Sequence, residues 1–272
     1  MSNRITLDNG MSVKVYDDSN YKEVLDYAVV NGFNLTCVER NYDKVPVGSI
    51  EGAPRSAIAP IPRSQWSAAI KEQAEKRGRV SDRWREGGCK ILNQASTNYC
   101  WINGVVSAFE AVRACNGMPY VKFSPASGGA RIKGFRNVGG WGTEALEWII
   151  KNGITRESLW PANAIDRKYL TPEAIADAMQ NRITEWSDLG GGNFDLQATY
   201  ALLGKPVAVG YNWWSHEVCQ LDLVEIEPGS FGILIANSWG ESWDGDGMAV
   251  LRESKGRADD AVSPEVVYAT TV

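Results

Sequence analysis

The chain has 272 residues, of which 44% are hydrophobic and 22% are charged, and its formal net charge is −5. This composition is typical of a soluble globular protein with one large domain or two modest ones. An acidic chain lacks the basic surface that nucleic-acid binding requires, so we expect no nucleic-acid partner. No apolar run approaches the roughly 20 residues of a membrane span, and the N-terminal segment has no signal-peptide pattern. These features favour a cytoplasmic location, and a virion is the alternative location.

Five cysteines and one histidine limit the chemistry that this chain can support. The cysteines are odd in number and irregularly spaced, which predicts free thiols in a reducing compartment. One histidine with scattered cysteines cannot supply the clustered ligands of a usual zinc site, so we expect no metal and no cofactor. We interpret four of the cysteines as structural: Cys37, Cys89, Cys115 and Cys219.

Residues 1–63 are interpreted as an N-terminal extension that ends in a connector. Asn9 and Gly10 separate two β-prone runs and predict a hairpin, and a helix over residues 20–30 follows, capped by Ser19. Residues 44–63 are rich in proline and lack helical periodicity, which predicts an extended connector. The extension is open to three interpretations: a prosegment, an anchor to a larger assembly, or a segment that occupies the protein's own cleft.

Helical patterns dominate the next part of the chain. The strongest helix begins near Asn98, which we predict as its N-cap, so that Cys100 lies in the first turn. The free N–H groups and the dipole at that end favour a thiolate over a thiol. Four helices are predicted in this part, over residues 64–88, 98–117, 143–153 and 172–181.

After Gly204 the pattern changes to short β-prone runs separated by turn residues. Helices therefore come first and strands later, which predicts an α+β protein with a cleft between two lobes. We expect residues 64–272 to form this domain, with a helical lobe over about residues 64–165 and a β lobe over about 166–272. The predicted strands cover residues 206–211, 217–227, 231–239 and 247–253.

Four side chains form a candidate catalytic set: Cys100, His216, Asn237 and Gln94. A thiol can act as a nucleophile, and an imidazole is the general base whose pKa lies near neutral pH. One amide can orient that base and the other can bind an oxyanion. Because His216 is the only histidine, it is the obvious candidate for the base. The set predicts a thiol hydrolase.

The motifs around these residues resemble the papain-like cysteine peptidases of clan CA, family C1. The segment NQASTNYCW is similar to that family's N-Q-G-S-C-G-S-C-W, and PVAVGYNWWSHEV is similar to the strand that leads into its catalytic histidine. LIANSWGESWDGDGMAVLR resembles the asparagine strand, and NVGGWGTEALEWIIKNGI resembles the stretch with paired glycines. The resemblance covers roughly residues 90–255 and indicates a disulfide-poor, bacterial or phage-type variant.

The resemblance implies a papain-like fold and hydrolysis of a peptide or protein substrate through a thioester on Cys100. His216 would transfer protons, Asn237 would fix its tautomer, and Gln94 with the backbone N–H of Cys100 would bind the oxyanion. The resemblance also implies a set of substrate-binding residues: Gly139, Gly140, Trp239 and Glu217.

The sequence departs from the family pattern at a disulfide position, in a loop of the cleft wall and at the residue after the histidine. Thr97 stands where the family has a cysteine, and only residues 211–215 separate PVAVG from the histidine, which shortens a loop of the cleft wall. Glu217 replaces the usual small residue after the histidine. It either faces the cleft and favours a basic or amide-bearing substrate side chain, or it is a solvated strand charge.

Two alternatives to an active peptidase stay open. One is a different thiol amidase on a related fold, which cuts peptidoglycan cross-links or an isopeptide bond. The other is a non-catalytic binding or assembly component, for example of a virion, that retains the fold. The complete catalytic set favours the peptidase, and the unexplained residues 1–63 motivate the assembly component.

Overall fold

A computed structural model describes residues 3–267 of the chain, and one mixed sheet runs through this part. Its strands are β1 (Arg4–Thr6), β2 (Ser12–Tyr16), β3 (Ile183–Asp188), β4 (Val207–Tyr211), β5 (His216–Glu227), β6 (Ser230–Ala236), β7 (Met248–Arg252) and β8 (Asp260–Val267). The strand order is β1-β2-β7-β6-β5-β4-β8-β3. Neighbouring strands are antiparallel except β2 and β7, which are parallel.

The helices pack against this sheet and against one another. They are α1 (Lys22–Asn31), α2 (Trp66–Lys76), α3 (Val80–Glu86), α4 (Cys100–Cys115), α5 (Pro125–Ile132), α6 (Gly142–Asn152), α7 (Pro172–Gln180), α8 (Phe194–Leu202) and the single turn α9 (Glu253–Gly256). Among the helices of residues 3–267, none combines the length and apolar character needed to cross a bilayer. The architecture confirms the predicted α+β class, with the cysteine on a helix and the histidine on a strand.

Helix α4 is the centre of the molecule. Every residue of α4 except Cys115 is buried, including the charged residues Glu110 and Arg113. It packs on β5, β4 and β8 on one side and on α3, α5 and α6 on the other. The first residue of this helix, Cys100, is therefore held at a fixed place beside the start of β5.

The N-terminal hairpin belongs to the same sheet and the same core as the rest of the chain. Strands β1 and β2 pair around Asn9 and Gly10 as predicted, and β2 then pairs with β7. The side chains of Met11, Val13 and Val15 lie in the hydrophobic core. Residues 4–16 thus contribute two strands to the body of the protein.

Three local predictions about helix ends were wrong. In two of them the predicted cap bonds another group, and in the third a glycine divides the helix. Ser19 does not cap α1, since its hydroxyl bonds Asp17 instead, at 2.6 Å. Asn98 does not cap α4, because its amide donates to the carbonyl of Asn137 at 2.7 Å. The predicted helix over residues 64–88 divides into α2 and α3 at Gly78, whose φ of 73° ends the first helix.

Five elements were not foreseen from the sequence: α5, α8, α9, β3 and β8. The segment of α5, PASGGARI, contains two adjacent glycines, which disfavour a helix on propensity. Burial of most of its residues supplies the stability that propensity lacks. Strand β8 contains Pro264, which argues against a strand when only the sequence is read.

Candidate active site

The loop before α4 is fastened to the end of β6, and this places the nucleophile candidate. Asn93 forms an isolated bridge with Trp239, and the backbone N–H of Gln94 donates to the carbonyl of Ser238 at 2.8 Å. The chain then turns into α4 at Cys100, which is fully buried. Two segments far apart in sequence are therefore joined beside the thiol.

His216 and Asn237 lie side by side because β5 and β6 are antiparallel neighbours. The histidine begins β5 and the asparagine follows the end of β6, and Nε2 lies 2.7 Å from Oδ1. The amide oxygen can only accept, so the Nε2 atom carries the proton. The other nitrogen, Nδ1, is buried without a hydrogen-bond partner and is the free acceptor of the ring.

The sulfur of Cys100 lies beside the same end of β5. Backbone amides of Thr36 and Glu217 donate to this sulfur, and Glu217 is the residue directly after the histidine. The structure thus brings the predicted nucleophile to the strand that carries the predicted base.

Aromatic rings enclose the imidazole. The rings of Trp214 and Trp239 lie 4.7 and 5.0 Å from that of His216, centroid to centroid. Burial lowers the pKa of the His216 imidazole to about 4, although the hydrogen bond with Asn237 opposes this change. The Trp239 ring thus lies beside the imidazole, and that it keeps water from the base stays a prediction.

Burial also controls the thiol. It raises the pKa of Cys100 to about 11, and the amide hydrogen bonds from Thr36 and Glu217 offset only part of this effect. The expected thiolate at the start of α4 is consequently not the stable form here. Near neutral pH the thiol and the imidazole are therefore both neutral, and no hydrogen bond joins them in this structure.

Gln94 is fully buried, and its amide is held in one orientation. The Ser238 hydroxyl donates to Oε1 at 2.7 Å, which directs Nε2 the other way. Nε2 donates to the carbonyl oxygens of Asn34 and Thr97, at 3.1 and 3.2 Å. The Gln94 amide, which we predicted to bind an oxyanion, therefore donates to a carbonyl oxygen of the chain itself, that of Asn34.

That carbonyl belongs to a segment that runs along the cleft, residues 33–38, here called the strap. The ring of Phe33 stacks on Trp239 at 5.0 Å, and Thr36 contacts the sulfur of Cys100. The backbone N–H of Cys37 donates to the carbonyl of Ser215 at 2.9 Å. The strap therefore covers the thiol.

The two glycines predicted to bind substrate backbone instead bind the strap. The N–H of Val38 donates to the carbonyl of Gly140 at 2.8 Å, and Cys37 and Gly140 form a parallel bridge. The carbonyl oxygen of Thr36 occupies the space where a Cβ on Gly139 would be. Only glycine permits this approach, so the edge is suited to an extended peptide.

No family model matches the sequence, and no curated protein matches it either. Solved structures do match in fold. They include xylellain, a cysteine protease from Xylella fastidiosa, which is 18% identical over 66% of this chain and 83% of its own, with a TM-score of 0.53. Digestive procathepsin L 3 of Tenebrio molitor is 17% identical over 90% of both chains, with a TM-score of 0.58.

A third match is bromelain from Ananas comosus, 20% identical over 67% of this chain and 97% of its own, with a TM-score of 0.54. All of these are papain-like cysteine proteases. The fold is papain-like. The match to the procathepsin covers 90% of this chain, whereas the match to bromelain covers 67%.

Within the papain-like fold, Glu217 is buried rather than solvated, with 2% of its surface exposed. Burial, reinforced by the Asp260 carboxyl, raises the pKa of Glu217 well above its usual range. Its Oε2 atom lies 3.9 Å from the sulfur of Cys37. The side chain therefore faces the strap.

Neither the strap nor the ion pairs that follow it were predicted from the sequence. Arg40 is buried and donates to Asp188 at 2.8 Å and to Asp260 at 3.0 Å. The alternation of apolar and polar residues after Gly32 was the available signal for an extended strap. No local signal links an arginine to carboxylates about 150 and 220 residues away.

Thiols and acidic groups do not form a metal centre within residues 3–267. No group of three or more histidine, cysteine, aspartate or glutamate side chains there could hold an ion. All five cysteines are free: Cys37, Cys89, Cys100, Cys115 and Cys219.

Proposed function

We propose that this protein is a cysteine peptidase, with Cys100 as nucleophile, His216 as acid and base, and Asn237 as the residue that fixes the tautomer. The observation that carries the proposal is the strap. A stretch of peptide lies against the thiol, with a carbonyl on the Gln94 amide and an N–H on the carbonyl of Gly140. The cleft therefore has the groups needed to hold a peptide at a sulfur.

The proposed reaction uses these residues in sequence. The Cys100 thiol gives its proton to Nδ1 of His216, and the sulfur attacks the carbonyl carbon of the substrate. The carbonyl oxygen becomes an oxyanion that accepts from Nε2 of Gln94 and from the backbone N–H of Cys100. His216 then returns the proton to the leaving amine, and a water molecule, deprotonated by the same ring, hydrolyses the thioester.

The strap controls this chemistry in the proposed mechanism. It buries the thiol and the imidazole, and burial disfavours the charged forms of both groups. Displacement of the strap would admit solvent and substrate together, and the thiolate–imidazolium pair could then form. We therefore assign to residues 33–38 the role that we predicted for some part of residues 1–63, an association with the protein's own cleft.

Replacement of Cys100 tests the proposal. The protein in which a Gly-Ser segment replaces the strap, and the variants Cys100→Ala and Cys115→Ala of that protein, are incubated with a mixture of unfolded protein substrates and with an epoxide that alkylates thiols. We expect Cys100→Ala to lose both hydrolysis and labelling, and Cys115→Ala to retain both. Gln94→Ala should lower kcat by a factor of about 10²–10³. Equal hydrolysis by the Cys100→Ala protein would contradict the proposal.

The filled cleft also favours one alternative, a non-catalytic component that keeps the fold. In that case the strap would never leave, and the thiol would stay inaccessible under all conditions in which the protein is folded. Replacement of residues 33–38 by a Gly-Ser segment of equal length distinguishes the two. A peptidase gains hydrolytic activity from this change, whereas a non-catalytic component gains only a reactive thiol.

A further inference from the structure

Aromatic rings connect the N-terminal hairpin to the imidazole. Tyr16, the last residue of β2, is 2% exposed and lies in the same hydrophobic cluster as Trp214, Trp239 and Trp243. Its ring stacks on that of Trp243, with 6.1 Å between the centroids. The Trp243 ring lies 6.3 Å from Trp214 and 5.8 Å from Trp239, the two rings that flank His216. A continuous series of ring contacts therefore joins the hairpin to the base.

The three indole rings of this series have no hydrogen bonds to orient them. Within residues 3–267, Nε1 is buried without a hydrogen-bond partner in Trp214, Trp239 and Trp243. The orientation of each ring consequently depends on the atoms packed against its faces and edges. Because protein interiors are close-packed, a shift of the outer ring, that of Trp243, would displace the two rings beside the imidazole.

The hairpin binds the residue directly after this outer ring, Asp244. The Tyr16 hydroxyl donates to Oδ2 of Asp244 at 2.7 Å. The guanidinium of Arg4, in β1, donates to the backbone carbonyl of the same residue at 3.1 Å. Each strand of the hairpin thus contributes one hydrogen bond to Asp244. Since Trp243 is its neighbour in the chain, the two bonds fix the backbone that carries the outer ring.

The backbone of Asp244 is strained. Its φ is 50°, in the left-handed region that residues other than glycine, asparagine and aspartate seldom adopt. Glycine would adopt this conformation without steric cost. What aspartate adds to a glycine here is the carboxyl group that accepts from Tyr16.

We propose that Tyr16 and Asp244 are positioning residues, which hold the tryptophan rings in the arrangement that keeps the His216 imidazole buried and aligned. The effect on catalysis rests on the proposed function, whereas the environment of the imidazole can be measured without a substrate. The inference assigns the hairpin to the active enzyme. Any cleavage of the strap would then have to leave residues 4–16 in the sheet.

Titration of His216 in the full chain tests the inference. Tyr16→Phe removes only the hydroxyl, and Asp244→Gly removes the acceptor and relieves the backbone. Looser rings admit water, so in both variants the imidazole should bind its proton about tenfold more tightly, and its pKa should rise accordingly. Asp244→Asn keeps an oxygen that accepts from Tyr16 and tolerates the positive φ, so it should titrate like the original protein. NMR of the single histidine measures these changes.

A matched control separates positioning from a merely structural role. Tyr200 is a buried tyrosine of the same hydrophobic cluster, and its hydroxyl bonds that of Ser56 at 2.8 Å. Tyr200→Phe should lower the melting temperature as Tyr16→Phe does and leave the titration of His216 unchanged. The inference is wrong if Tyr16→Phe also leaves it unchanged, or if Asp244→Asn behaves like Asp244→Gly. Should Tyr16→Phe fail to fold, the two Asp244 variants decide, because neither removes a buried ring.

Kinetics extend the test to the proposed reaction. In the protein with the Gly-Ser segment in place of the strap, Tyr16→Phe should lower kcat about tenfold and leave KM within about twofold, since it disturbs the base and not the substrate-binding edge. A higher KM with an unchanged kcat would contradict the inference. If the parent protein cuts no peptide, the proposed function fails, and the titration of His216 still decides whether the hairpin positions the imidazole.

Discussion

The N-terminal hairpin and the strap belong to one stretch of chain, yet they contact the rest of the protein in different ways. Met11, Val13 and Val15 of the hairpin are each at most 5% exposed and lie in the core. The residues of the strap are all half-buried or exposed. Backbone hydrogen bonds, the Asn34 amide on the carbonyl of Ser96, and the partly buried side chains of Phe33 and Leu35 hold it in place. The hairpin contributes to the core, and the strap covers a site.

The difference in contacts suggests which part of the N-terminal region can move. A buried aliphatic side chain contributes about 1.5–3 kcal/mol, whereas a typical hydrogen bond contributes about 1 kcal/mol because water replaces the lost partner. We therefore expect the strap, rather than the hairpin, to be the part that leaves its place. Arg40, just beyond the strap, is buried and ion-paired, which fixes the far end.

Removal of the hairpin should have the largest effect. Deletion of residues 1–17 removes both strands and exposes the core that Met11, Val13 and Val15 cover, so we expect no cooperative thermal unfolding transition by circular dichroism. Replacement of the strap by a Gly-Ser segment is the matched control and should leave that transition in place. A deleted chain that melts like the full one would show that the hairpin is dispensable.

The ion pairs beyond the strap should give an intermediate effect. Arg40→Ala leaves Asp188 and Asp260 buried without a cation, and we expect the free energy of unfolding to fall by about 3–5 kcal/mol. Urea denaturation measures this change. Arg55→Ala, at an exposed arginine of the connector, should alter stability by no more than about 0.5 kcal/mol. Similar losses of unfolding free energy in the two variants would show that the ion pairs of Arg40 do not fix the end of the strap.

The smallest effect concerns the protonation of His216. While the strap is in place, the imidazole should titrate near pH 4, because burial disfavours its charged form. Phe33→Ala removes the ring stacked on Trp239 and loosens the strap, so the pKa should rise towards the value of about 6.5 for exposed histidine. NMR can follow this titration without assignment, since the chain has one histidine. Val38→Ala is the control. An equal change in the His216 pKa in that variant would show that loosening of the strap at Phe33 is not the cause.

Much of the architecture and the four polar residues of the site could be predicted from the sequence. Strands β4 to β7 follow from alternating or continuous β-prone runs between turn residues, and helix α6 follows from periodicity and its terminal Gly153. The pairing of His216 with Asn237 was expected from family resemblance. These features depend on residues near one another in the chain or on motifs with a fixed order.

Only the tertiary structure decided what occupies the cleft and whether the site is charged. The contact of the strap with Cys100, the contact of Cys37 with Glu217 and the ion pairs of Arg40 all join residues that are far apart in sequence. Local patterns do not specify such contacts, because they arise when separate elements pack on α4 and the sheet. The same packing removes water from the thiol and the imidazole, and desolvation outweighs the helix terminus that favoured a thiolate.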